Sequence, residues 1–332
     1  MADRAAKAMN RFGLVVNPHS QRNKRGLPAL REAVQSYGDL IDYVELDGIE
    51  TLGRTLRRFA DAGLPLVAIA GGDGTVVASM TEYLVRQPDL PRPAIAILSA
   101  GMTNMTAADI GLKGRADKAL ARLVKRFQRG EALWRSETLR RSPIVVSGGG
   151  MGPPQAGFFL GGAGIYQGIE YCRDRVHTLG LEAGWANAAT MASLLVQQMI
   201  GGRLLKGQNV DWRWDGGEKQ SDSLSVVVAT TLDRLVVGTR PFWNQPRDPS
   251  QRSGFSVTLV QKPGAAFWWS LPRLLFGKAD RKLNPKGCHS GEARVLELWM
   301  DSPFTIDGQL FDCHATEPLK VELGHSFEFV RI

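Results

Sequence analysis

Only three cysteines, Cys172, Cys288 and Cys313, occur in the 332 residues. Their number is odd, they stand far apart, and no CxxC occurs. That argues against a disulfide framework and fits a reducing compartment. None stands at zinc-ligand spacing from any of the five histidines, and neither His177 nor His289 has a visible acid or nucleophile partner. A long hydrophobic run is also missing. The longest apolar stretch, Trp185 to Ile200, is broken by Asn187, Gln197 and Gln198 and is too short and polar to span a bilayer. Met1 to Arg11 is basic without an apolar core, so no secretory signal is read there. There is no internal repeat and no low-complexity tract. With 43% hydrophobic and 22% charged residues the chain is globular in composition. These absences lead to the expectation of a cytoplasmic protein, one whose contact with lipid, if it has any, is from the surface, peripherally at the inner membrane face.

The length suggests about two domains. The formal charge of +8 favours anionic partners such as nucleotide, phosphate or an acidic membrane leaflet, although a solubilising surface has the same composition. The basic residues are scattered and no RNA- or DNA-binding motif is present, so no nucleic-acid partner is expected. An oligomer is left open.

Up to about Trp134, strand-like and helix-like patterns alternate. Phe12 to Val16, Tyr43 to Leu46, Leu66 to Ala70 and Ile95 to Leu98 read as strands. Leu30, Ala33, Val34 and Tyr37 recur at helical spacing, as do Leu52, Leu56 and Phe59, then Val76, Met80 and Leu84, then Ala119 to Phe127. This order predicts a doubly wound parallel α/β sheet. Beyond it strand patterns dominate: Pro143 to Ser147, Asn209 to Trp214, Ser223 to Thr230, Gly254 to Val260, Arg294 to Met300 and Lys320 to Leu323. An antiparallel, β-sandwich-like domain is expected there. The domain expectation is an α/β nucleotide-binding domain over 8–135, a β-rich domain over 136–315, and a segment from about 316 to 332 that packs back onto the first.

The strand Leu66 to Ala70 runs directly into Gly71-Gly72-Asp73-Gly74-Thr75 and a helix. Strand, glycine turn and helix aim helix N-terminal amides at an anion, and glycine lets the backbone come close. Asp73 repels phosphate, which points to a metal partner or a base acting on a hydroxyl. The plainer reading is a tight turn with Asp73 as helix cap.

Several motifs in order resemble the diacylglycerol kinase catalytic-domain family, which includes bacterial lipid kinases, sphingosine kinases and ceramide kinases. Asn17-Pro18-His19-Ser20 resembles its NPxSG turn and Gly71 to Thr75 its GGDGT motif. Ser99 to Asn104 resembles its third nucleotide loop, Gly161 to Ile165 a glycine segment opening the second domain, and Ile306-Asp307-Gly308-Gln309 its DGE motif. The resemblance implies an ATP-dependent lipid kinase using Mg2+, with γ-phosphate passing to a hydroxyl of a diacylglycerol, ceramide or sphingoid lipid. It assigns Asn17, Pro18, Ser20, Gly71, Gly72, Gly74, Thr75, Gly101, Thr103 and Asn104 to the nucleotide. Asp73 and Asp307 become the catalytic carboxylates, and Asp307 with Gln309 the metal ligands.

The departures are Gln21 for glycine, Val77 and Ala78 for Asn-Glu, Met105 for aspartate, and Gln309 for glutamate. Gln309 brings no carboxylate to magnesium. Ser253-Gly254 stands where relatives carry an acidic pair at a structural metal, and Asp233 reads as a paired surface turn. Gln21 to Arg25 reads either as a basic arm toward phosphate or as a solvated loop. Phe267, Trp268 and Trp269, beside Lys278, Arg281, Lys282 and Lys286, suit a bilayer interface; a core helix with a solvated basic loop reads equally well. Two other functions are carried forward: an NAD kinase-like enzyme, which shares a GGDG loop, and a nucleotide- or lipid-binding protein that has lost catalysis.

Overall fold

The computed structural model describes residues 11–101, 104–163, 207–235, 238–248, 251–261, 275–278, 280–283 and 285–331. The chain divides into two compact units, Met1–Ser142 with His325–Ile332, and Pro143–Gly324.

The first unit is a layered α/β structure. Its elements are β1 (Phe12–Val16), α1 (Asn23–Tyr37), β2 (Ile41–Glu45), α2 (Leu52–Asp61), β3 (Leu66–Gly71), α3 (Asp73–Thr81), β4 (Ala94–Ser99), α4 (Met105–Ile110), α5 (Ala116–Phe127), α6 (Glu131–Ser136) and β5 (Thr138–Arg141). The chain's last strand, β17 (Phe327–Val330), completes a six-stranded sheet of order β2-β1-β3-β4-β17-β5. All its pairings are parallel except that of β17 with β5.

β3 and β4 are almost wholly buried and read as continuous apolar runs because helices cover both faces. On one face Phe12, Leu14, Val16, Leu66, Ala68 and Ala70 pack with Leu30 and Val34 of α1 and Leu120, Leu123 and Phe127 of α5. On the other, α2 lies so close to β1 that a Cβ on Gly13 would stand 2.6 Å from the Phe59 ring. α3 ends at Thr81, and Glu82–Arg86 widens into a π turn.

Among the described residues the strands of the second unit pair antiparallel throughout. It contains β6 (Ile144–Gly148), β7 (Gln155–Gly157), β8 (Phe159–Ala163), β9 (Gln208–Trp214), β10 (Gln220–Thr230), β11 (Phe255–Gln261), β12 (Cys288–Ala293), β13 (Val295–Trp299), β14 (Phe304–Ile306), β15 (Gln309–Phe311) and β16 (Leu319–Leu323). β10 is the branch point. Its first half, Gln220–Leu224, pairs with β9, and after an irregularity between Leu224 and Val226 its second half pairs with β8 on that edge. β11 runs along the opposite edge, and β12 follows it. The inward residues Trp212, Val227, Leu259, Leu296, Phe304 and Val321 form a single core.

Of the C-terminal segment, Leu319–Leu323 pairs within this second sheet and Phe327–Val330 within the first. No helix among the described residues is long and apolar enough to cross a membrane. Trp185 to Ile200, Phe267 to Trp269, His177 and Cys172 lie outside the described residues. Cys288 and Cys313 are buried free thiols, and burial pushes each up to about 11.

Candidate nucleotide site and a carboxylate hairpin

In the first sheet the chain passes from β1 outward to β2, then back across to β3 and β4. The strand order therefore reverses between β1 and β3, and the carboxyl ends of these strands form the switch point where open α/β sheets bind ligands. Three loops leave from there, after β1, β3 and β4.

The loops are tied to one another by specific bonds. Asn17 donates through Nδ2 to Thr75 Oγ1 at 2.9 Å and accepts the His19 N–H at 3.0 Å, closing an Asx turn beside Pro18. The Gly72 N–H donates to Ser20 Oγ at 3.2 Å. Ala100 N–H donates to the Gly71 carbonyl at 3.0 Å, which joins the second loop to the third. Gly71, Gly72 and Gly101 are needed for closeness rather than for positive φ. A Cβ on Gly101 would stand 2.6 Å from Gly72 Cα, and one on Gly71 would stand 2.5 Å from Thr75 Cβ.

Asp73 is the first residue of α3, and Gly72, not Asp73, is the cap. The Asp73 carboxylate crosses to the third loop, where it accepts the Met105 N–H at 3.1 Å and the Thr106 N–H at 3.2 Å. It thus binds the start of α4. Burial pushes the Asp73 carboxyl above the ordinary carboxylate range, against the pull of these amides. Asn104 precedes α4 in the left-handed region at φ 48°, and its side-chain amide accepts the Gly101 N–H at 2.7 Å and donates to the Gly101 carbonyl at 2.6 Å. Thr103 lies outside the described residues.

Four supporting residues have roles that the sequence does not show. Asn23 is buried at the start of α1, and its Nδ2 donates to the carbonyls of Asn17 and Ala70 at 2.8 and 3.0 Å. It sits inside the Gln21 to Arg25 run, whose cations masked it. Asp109 of α4 and Arg141 of β5 form a buried ion pair at 3.3 Å. Nothing in the local sequence links positions 32 residues apart. Arg22, from the same basic run, donates its N–H to the Ala100 carbonyl and reaches Ser99 Oγ at 3.5 Å. Val77 is fully buried in α3, so this departure from Asn-Glu serves the core.

In the second unit Asp307 and Gly308 are the two central residues of the β14–β15 hairpin, with φ of 45° and 88° and Ile306 paired to Gln309. Two adjacent positive φ values are those of a type I′ turn, which favours Asp-Gly. Asp307 is buried, and its Oδ2 accepts the Phe158 N–H at 2.7 Å. Gly157 leaves the space for that carboxylate, since a Cβ there would stand 2.6 Å from Oδ2. Gln309 is exposed. Among the described residues no three His, Cys, Asp or Glu side chains group so as to hold a metal ion. Asp233 pairs with Arg240 and Arg252.

A cleft of about 370 Å³ lined by Leu40, Pro65, Phe127 and Trp134 lies by the amino ends of β2 and β3. It is at the opposite end of the strands from the three loops and holds none of the motif residues.

Residues 11–133 match the family model of the diacylglycerol kinase catalytic domain. No curated protein matches the chain by sequence. Among solved structures, a diacylglycerol kinase of Bacillus anthracis Sterne superposes with a TM-score of 0.63 at 15% identity, covering 97% of this chain and 96% of its own. Two other proteins of that organism, each described as a candidate diacylglycerol kinase, give TM-scores of 0.67 and 0.68 at 16% and 15% identity. They cover 96% and 97% of this chain, and 97% of each is covered in return. Residues 11–133 of the first unit are thus similar to the diacylglycerol kinase catalytic domain, and the chain as a whole has the fold of these solved proteins.

Proposed function

We propose that the chain is an ATP-dependent lipid kinase that passes the γ-phosphate to a hydroxyl of a diacylglycerol, ceramide or sphingoid lipid. The observation that carries this reading is the joining of three loops, two of them glycine-containing, at the carboxyl ends of β1, β3 and β4, within the segment that matches the kinase domain. Backbone at Gly72, Gly74 and Gly101 receives the triphosphate, because no Cβ holds the phosphates away. Asn17 and Thr75 hold the first two loops in register. Asp73 is assigned the role of fixing the third loop through Met105 and Thr106.

In the transfer step the lipid hydroxyl oxygen bonds to the γ-phosphorus as the bond from phosphorus to the β–γ bridging oxygen breaks. ADP leaves, and the hydroxyl proton passes to Asp307, the carboxylate of the hairpin turn. Positioning and charge neutralisation supply most of such a catalysis.

Magnesium is the metal the family implies. The residues present do not build a cage for it: both Asp73 oxygens accept amides, Asp307 Oδ2 accepts another, and Gln309 is a neutral, exposed amide. An ion carried in on ATP phosphates and water needs few protein ligands.

A protein that binds nucleotide without turnover is the second reading, favoured by Gln309 and by the engagement of Asp73 with backbone. Incubation with γ-labelled ATP and a panel of lipid alcohols in mixed micelles separates the two. Label in a lipid product supports the kinase. ATP binding with no labelled lipid supports the second reading, and NADP formed from NAD contradicts both.

A further inference from the structure

We infer that the outer face of α5 is a docking surface for an anionic lipid bilayer. In the sequence the basic residues look scattered, but the helix aligns them. Lys118, Arg122 and Lys125 are exposed on α5, and Arg129 is exposed in the turn that follows it. At about 100° per residue these four positions fall within an arc of roughly 60°. Ala119, Leu120, Leu123, Val124 and Phe127, the buried residues of the helix, point the other way.

None of the four cations has a carboxylate partner among the described residues. The two acids nearest in sequence are already committed, Asp117 to Arg115 and Glu131 to Arg135. A third, Glu137, pairs with Arg126, which flanks the row. Arg122 donates only to the Lys113 backbone carbonyl, and Lys113 itself is exposed beside the row. A solvated helix face generally interleaves both signs; this one is of one sign along its length.

Four aligned cations spanning about 16 Å of helix match a flat array of phosphates. A planar, negatively charged leaflet attracts such a row without any base or sequence being read. The row carries no aromatic ring on which a nucleobase would stack, which favours a membrane over single-stranded nucleic acid. It also carries no apolar residue for insertion, so the attachment is electrostatic and falls with salt. The choice of bilayer as partner rests on the lipid-kinase reading. The test below uses no ATP, so binding and phosphate transfer fail separately.

The full chain is sedimented with vesicles of phosphatidylcholine alone and of phosphatidylcholine with phosphatidylglycerol, at low and high salt. Wild type is expected on the anionic vesicles only, and released by salt. The variant K118E/R122E/K125E/R129E is expected to bind them at least about a hundredfold more weakly, since each cation near a leaflet is worth roughly fivefold. Thermal unfolding checks that the variant is folded, and K118Q/R122Q/K125Q/R129Q replaces it if it is not. Wild type that ignores anionic vesicles overturns the inference, as does a folded variant that binds as wild type does. Tighter binding to an oligonucleotide than to vesicles, lost in the same variant, overturns it in favour of nucleic acid.

Discussion

Gly72 and Gly101 touch backbone to backbone: a Cβ built on Gly101 falls 2.6 Å from Gly72 Cα, and one built on Gly72 falls 3.0 Å from Gly101 Cα. The second and third loops are therefore closed on each other with no room for a methyl group. Gly101→Ala is expected to lower stability by about 1–3 kcal/mol, the usual range for overpacking, and to weaken ATP binding more than tenfold. Gly72→Ala is expected to do less on both counts. Calorimetric titration with a non-hydrolysable ATP analogue, beside thermal unfolding, gives the order; equal affinity in all three proteins contradicts it.

Asn17 is the hinge of the first loop. Asn17→Ala removes its bond to Thr75 and the Asx turn at His19. A loss of about 1 kcal/mol in stability is expected, with ATP binding reduced while lipid binding is unchanged. Separate titrations of nucleotide and lipid on the variant check this.

The buried Asp73 carboxyl is raised by desolvation. A carboxylate raised in the folded state binds more protons folded than unfolded. Its contribution to stability is therefore present at low pH and is lost as pH rises from the ordinary carboxylate value, about 3.9, to the folded value. Wild type is expected to lose stability relative to Asp73→Asn across that window. Melting curves of both proteins as a function of pH check the sign; a relative gain by wild type would mean that the amides of Met105 and Thr106 outweigh burial. The variant is also expected to lose turnover while keeping its fold.

Asp109 and Arg141 anchor α4 from the far side. Removing one charge leaves the other buried, so Asp109→Asn or Arg141→Gln alone is expected to cost about 3–5 kcal/mol, and the double variant less than the sum. Denaturant unfolding of the four proteins closes this cycle.

The parallel core of the first unit was legible because buried strands are continuous apolar runs, as Leu66 to Ala70 and Ile95 to Leu98 are, and because amphipathic helices such as α5 keep a strict period. The segment from about 316 to 332 is expected to pack back onto this unit, but its sequence marks no strand at Phe327–Val330. Phe-Glu-Phe-Val is four residues long, and its pairing with β4 joins Phe329 to Ile95 across most of the chain. The glycine loops were legible from residue type. The partners of Asp73 were not, since backbone amides leave no mark in a sequence. Asp307-Gly308 carries a hairpin signal of its own, Asp-Gly at the two central positions of a tight turn.

The central claim is transfer of phosphate to lipid. Its most direct test is γ-labelled ATP incubated with diacylglycerol, ceramide and sphingosine in mixed micelles, comparing wild type with Asp307→Asn. The account predicts a labelled lipid with wild type, and with the variant a loss of at least about a hundredfold in rate at unchanged ATP affinity. No labelled lipid from a wild type that binds ATP, or full activity in the variant, would contradict it.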